Sequence, residues 1–254
     1  MQFFRFCCVK TWLAIVTAYM LLANQVIASE KVHPITYYTE LYPPSSYYYN
    51  DKLIGLSVDV IKLIWQDQGI AEQPILVVPW ARGYQEITHK PNTALFAMSK
   101  TADRAAKFKW VGPLFTAEYY LIAHSDSQYA ITDIADVYDK SIAVIRNDVT
   151  QNLIYDTEFP HEQVIAAKSM NDALALFTAK RVDLLAISKS GLNAAMAQRK
   201  LGKDQFKRIL LLNVIDDYIA FSKDTPDAVV HAFQSSLDKL KEQHLALKEA
   251  YKLH

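Results

Sequence analysis

Gly55-Leu56-Ser57-Val58-Asp59-Val60-Ile61-Lys62-Leu63-Ile64-Trp65, closed by Gly69, is the stretch whose reading decides the architecture. Val60, Ile61, Ile64 and Trp65 form an apolar stripe at helical spacing, so one face of a helix is buried. Ser57 reads as its N-cap and Gly69 as the stop just past the last turn. On either side, residues 35–38 and 75–78 are short β-rich runs bounded by Pro, Asn or charge. Strand, helix, strand in that order predicts parallel pairing within an α/β layer.

The same grammar continues along the chain. Residues 94–98, 119–123, 141–145, 164–166 and 184–187 read as strands, and Asn171-Asp172 opens a helix running through Leu174 and Phe177 to Arg181. Residues 209–214 and 218–222 read as two strands separated by the polar pair Asp216-Asp217. Thr225-Pro226 starts a closing helix, with Thr as cap and Pro at the first helical position. Val230, Phe233, Leu237 and Leu240 give that helix an apolar face. No internal repeat or low-complexity tract interrupts the pattern, and with six glycines in 254 residues flexible tethers are not expected.

The first 28 residues stand apart. Arg5 and Lys10 precede an uncharged, mostly apolar run from Thr11 to Ala23, and Val26-Ile27-Ala28 offers small residues at the positions a signal peptidase reads. This is the layout of a secretory signal peptide cleaved after Ala28, too short in its apolar run for a membrane span. Both cysteines, Cys7 and Cys8, lie inside it, so the mature chain is expected to lack disulfides, Cys-ligated metals and cysteine nucleophiles. Charges balance, with 27 Lys and Arg against 27 Asp and Glu, and no basic block argues for nucleic acid or an anionic membrane as partner.

Several segments, in order, resemble the bacterial extracellular solute-binding proteins of the polar amino-acid type. They are Tyr42-Pro43-Pro44 before the Gly55-Leu56-Ser57-Val58-Asp59 helix entry, and Thr101-Ala102-Asp103-Arg104 leading to Phe108-Lys109-Trp110. Arg181-Val182-Asp183 and Tyr218-Ile219-Ala220-Phe221-Ser222-Lys223 support them. The resemblance covers nearly all of the mature chain. It implies the α/β, two-lobed periplasmic-binding-protein fold (type II), with two α/β lobes joined by two hinge strands. Lobe 1 would comprise residues 29–117 and 215–254, and lobe 2 residues 118–214. The implied protein is a periplasmic monomer that closes on a small polar, carboxylate-bearing ligand, an amino acid or a relative, and delivers it to an inner-membrane ABC permease.

The resemblance also implies a site. Arg104 matches the family arginine that grips a ligand carboxylate, a role suited to a planar guanidinium with parallel donors. Ser99, five residues earlier, would join it. Trp80 and Tyr42 match aromatic positions on the cleft wall. Arg82 lies two residues beyond, where a switch-point crevice would open. From lobe 2, Arg146 and Asp148 follow a strand end at which a helix N-terminus would offer amides to an anion. Ser188 stands where amino-acid binders place an acid for the ligand ammonium, so the carboxylate end of the site is expected to be kept and the ammonium end lost. Glu118 and Asp216-Asp217 are read as solvated hinge residues.

No catalytic residue, cofactor or metal ligand is assigned. The seven histidines are scattered singly, without the helical spacing of a zinc site, and there is no G-x-S-x-G turn. Two alternatives remain: a cyclohexadienyl-dehydratase-like enzyme on the same fold, with Glu118 or Asp148 as acid or base, and a soluble ligand sensor for a separate signalling partner.

Overall fold

In a computed structural model, residues 34–129 and 131–253 are described; the predicted leader, with Cys7 and Cys8, lies outside them. The first half runs β1 (Thr36–Thr39), the hairpin β2 (Tyr47–Tyr49) and β3 (Lys52–Ile54), α1 (Leu56–Asp67), β4 (Ile75–Val77), α2 (Trp80–His89), β5 (Thr93–Ser99) and the short α3 (Ala102–Ala105). The long strand β6 (Lys109–His124) leads to β7 (Ile142–Ile145), α4 (Val149–Tyr155), β8 (Val164–Ala167), α5 (Met170–Thr178), β9 (Leu184–Ser188) and α6 (Lys189–Arg199). A second long strand, β10 (Phe206–Phe221), returns to α7 (Asp227–Lys239) and α8 (Lys241–Tyr251).

One sheet carries all the strands except the hairpin, in the order β4-β1-β5-β10-β6-β9-β7-β8. Two parallel groups flank an antiparallel centre: β1 pairs parallel with β4 and β5, and β7 pairs parallel with β8 and β9. The 16-residue strands β6 and β10 pair antiparallel and run from one group to the other. The parallel βαβ reading of the opening stretch therefore holds. The reading of residues 209–214 and 218–222 as two strands does not. Asp216 and Asp217 are ladder residues opposite Thr116 and Phe115, and the strand continues through them.

Helix α1 buries Val58, Val60, Ile61, Ile64 and Trp65 against Tyr37, Phe96, Phe233 and Leu237. At about 1.5–3 kcal/mol per large apolar side chain, this face anchors its half of the sheet. Its start is built differently from the expectation. Ser57 lies inside the helix, bonded to the Ser45 hydroxyl at 2.7 Å, and the amides of Leu56 and Ser57 donate to the carbonyls of Pro44 and Ser45. Gly55 is the cap, at φ +128°, where a Cβ would fall 2.3 Å from the Ser45 carbonyl oxygen. The close passage of that loop excludes any side chain. Gly69, at φ +66°, stops the helix as expected, with the Ile70 amide reaching back to Trp65. The closing helix begins at Asp227 behind Pro226, because the Thr225 hydroxyl is engaged with Ser222 instead of the helix amides.

Candidate functional site: a cavity at the strand ends

In parallel α/β sheets the crevice for ligands opens at the carboxyl ends of the strands. Thr39 ends β1 and Glu40 follows it, Ser99 ends β5, Ser188 ends β9, and Asp148 lies just past β7. The antiparallel centre adds Asp217, opposite Ser99, and Tyr119, opposite Ser188. These residues line one cavity together with Tyr42, Ser45 and Phe96. The space open to the centre of a water-sized sphere is about 30 Å³, room for two or three waters at roughly 10–15 Å³ each. A larger occupant requires the two halves to separate.

Two seams hold the halves together. The Tyr42 hydroxyl bonds the Ser188 hydroxyl at 2.9 Å and receives the Ser188 amide at 3.3 Å. At the second seam the Asn147 carbonyl, on a residue at φ +58°, accepts from the Trp80 indole N–H at 2.7 Å and from Arg104 Nη2 at 3.2 Å. Gly191 sits against Tyr42 so closely that a Cβ would lie 2.6 Å from its ring.

Arg104 is 1 % exposed. Its guanidinium carbon lies 5.3 Å from the ring centres of both Trp80 and Tyr84, and Nη1 reaches the Ser99 carbonyl at 3.4 Å. Its Nε is buried without a partner among the described residues. Arg104 thus borders the cavity from behind the seam and is not in its lining. Trp80, 2 % exposed, likewise packs at the seam. Tyr42, Ser99, Asp148 and Ser188 line the cavity. The structure does not bring the other two expected residues there. The Arg82 side chain is two-thirds exposed and faces Glu86 at 3.6 Å, and Arg146 is exposed with a bond to the Ala166 carbonyl.

The acids depart most from expectation. Asp217 is 4 % exposed, accepts from the Ser99 hydroxyl and faces the cavity; it is not a solvated hinge residue. Burial, reinforced by the nearby Asp148 carboxylate, pushes its pKa up to about 8. Glu40, 9 % exposed, has no hydrogen-bond partner for its carboxylate among the described residues, and burial with Asp148 and Asp217 nearby raises it well above the ordinary range. Asp148 is raised by burial, partly offset by Arg104. Its side chain caps α4 through the Thr150 amide and hydroxyl, at 3.4 and 3.1 Å. The negative group that the helix start was expected to welcome is therefore supplied by the protein itself. Ser188, at the position where an acid for the ligand ammonium would stand, caps α6, and three carboxyl groups from elsewhere in the chain face the same space. Glu118 lies outside the cavity, 3.0 Å from Lys189 Nζ and bonded by Tyr120, which hold its pKa low.

Residues 35–252 match the family model of the bacterial extracellular solute-binding proteins, family 3. The chain belongs to that family. Solved structures agree in fold and are two-lobed binding proteins. A mutant of the arginine-binding protein ArgBP from T. maritima superposes with a TM-score of 0.74 at 18 % identity, over 85 % of this chain and 94 % of that one. The arginine-, lysine-, histidine-binding protein ArtJ from Geobacillus stearothermophilus gives 0.76 at 13 % identity, over 86 % and 95 %. A histidine kinase sensor domain with similarity to periplasmic binding proteins gives 0.77 at 16 % identity, over 87 % and 96 %. No curated protein matches the chain in sequence. Among the described residues, no helix is long and apolar enough to cross a membrane.

Proposed function

We propose that this member of the family captures a small polar solute of the amino-acid class in the periplasm and hands it to an ABC permease, without transforming it. The observation that carries this reading is the cavity itself: polar and charged side chains converge at the strand ends of two sheet halves, closed by two hydrogen-bonded seams. The lobes are taken as residues 29–117 with 215–254, and 118–214, and β6 and β10 are the crossings that flex. The leader would direct export, and the protein would work as a monomer. Arg104, with its partnerless Nε, would receive a ligand carboxylate as the Asn147 seam opens, and Ser99 would assist. The amino acids named for the ArgBP and ArtJ structures favour this solute class.

The test is a thermal-shift screen of the mature protein against amino acids, amines and small carboxylates. A ligand at a hundredfold excess over Kd stabilises the native state by about 2.7 kcal/mol, which moves the melting point of a domain this size by about 5–10 °C. Arg104→Ala should remove the shift for a carboxylate-bearing hit while the far-ultraviolet CD spectrum stays native. An unaltered shift would sink the role given to Arg104. An enzymatic reading has one observation behind it, since a carboxyl group kept protonated near neutral pH in a cavity is also what a general acid needs. Turnover of a carboxylated cyclohexadiene by the wild type, lost in Asp217→Asn, would establish it.

A further inference from the structure

The charges around the cavity narrow the ligand class. Its lining contains Glu40, Asp148 and Asp217 but no Lys, Arg or His. Among the described residues no cationic side chain lies within 4 Å of any of these three carboxylates. Arg104, the cation next behind the wall, spends its Nη groups on the carbonyls of Ser99 and Asn147. Two of the acids have hydroxyl partners, Ser99 for Asp217 and Thr150 for Asp148. Among the described residues Glu40 has none, although nine-tenths of it is buried and it borders the same space.

We propose that this cavity takes a ligand carrying two positively charged nitrogen groups, shared among Glu40, Asp148 and Asp217. The proposal rests on the solute-capture reading above and names the solute class. Its ground is charge balance. Buried carboxylates side by side cannot all ionise without a counter-charge. Three ionised acids and one guanidinium leave two negative charges uncompensated. An α,ω-diamine cancels both. A basic amino acid brings the same two cations plus a carboxylate, for which Arg104 Nε, without a partner among the described residues, is the donor at hand; its net charge of +1 balances the site with one of the three acids kept protonated.

A pH dependence follows. Around Asp217 stand Ser99 from β5, Tyr119 from β6, Asp216 beside it on β10, Arg104 from α3, and Asp148 and Glu40 across the cavity. Without a cation this surround favours the protonated acids. A dication that ionises them displaces protons into solvent, so affinity rises with pH until the free acids are already ionised, about pH 8 for Asp217.

The experiment is isothermal titration of the ligand-stripped full mature chain at pH 6, 7 and 8 with L-lysine, L-arginine, cadaverine, putrescine, L-glutamine and L-glutamate. The expected result is that at least one of the four dications binds tenfold or more tighter than glutamine or glutamate, and that its Kd falls three- to tenfold per pH unit between 6 and 8. Glu40→Gln should weaken that ligand at least tenfold, and the pH slope of the wild type tests the same claim without any variant. Cadaverine binding as well as lysine identifies a diamine, whereas lysine alone identifies a basic amino acid; both support the proposal. Glutamine or glutamate binding as tightly as the dications, or a flat or inverted pH slope, overturns it while solute capture stands. No binding by any small solute here or in the thermal-shift screen overturns both.

Discussion

Replacing Asp217 by Asn should make the ligand-free protein more stable and a worse binder at once. In the unfolded chain an aspartate titrates near 3.9; in the folded protein burial beside Asp148 pushes Asp217 up to about 8. A folded-state pKa raised above the unfolded one means the group's contribution is fully present below about pH 4 and is lost as pH rises through about 8. At pH 7 the full shift would cost about 4 kcal/mol, at about 1.36 kcal/mol per unit over some three units. Repolarisation of the cavity by water and by Arg104 reduces this, and we take about 2 kcal/mol as the expected gain for the amide. Asn still offers an oxygen to the Ser99 hydroxyl, so no hydrogen bond need be lost. For a domain of this size the gain is a rise of about 4–8 °C in melting point. The assay is calorimetry on protein stripped of ligand by unfolding and refolding, at pH 5 to 8 in half-unit steps. The wild type minus variant difference should be smallest at pH 5 and grow toward pH 8, since groups common to both cancel. A variant that melts below the wild type at pH 8, or a difference that does not change with pH, would show that Asp217 is not carried protonated, and the charge argument for the cavity would fail with it.

Other consequences are more local. Gly191→Ala places a methyl group 2.6 Å from the Tyr42 ring, so closure at that seam should be blocked; calorimetric titration should show a Kd at least tenfold weaker, with the melting point of the free protein little changed. Trp80→Phe removes the indole donor to the Asn147 carbonyl, worth about 1 kcal/mol; because that seam opens to receive the ligand, binding should tighten about fivefold in the same titration. Glu118→Gln breaks the ion pair to Lys189 outside the cavity and should leave solute affinity within twofold, in contrast to Glu40→Gln. Phe177→Ala empties a fully buried site beside His124 and Phe206 and should lower the urea-unfolding free energy by about 3–5 kcal/mol.

What could be read in advance was what depends on local periodicity. The α1 stripe, Gly69 as its stop and the parallel βαβ pairing all follow from residues close in the chain. The hairpin β2–β3 has no apolar alternation to mark it; its only local signal is the Asn50-Asp51 pair, residue types that tolerate the positive φ both take in its two-residue turn. The long strands were cut short for a different reason. Gly112-Pro113 in β6 and Asp216-Asp217 in β10 are residues that usually mark turns, and here cross-strand pairing overrides that preference.

Asp148 stands out in the sequence as a site residue, but Glu40 and the buried state of Asp217 do not. A pair of aspartates between two apolar runs looks solvated, and an acid after a short strand looks like a loop residue. Burial of Glu40, Asp148 and Asp217 arises only when three distant segments close on one space, which no local pattern encodes. Yet a buried acid without a cation carries information of its own. It opposes folding of the free protein, and neither core packing nor the sheet ladder calls for it. The agent able to relieve that opposition is a ligand of opposite charge. Stability of the free protein and affinity for the ligand must therefore trade against each other at Glu40 and Asp217, and a substitution that improved both would mean that the carboxylates serve the fold and not the solute.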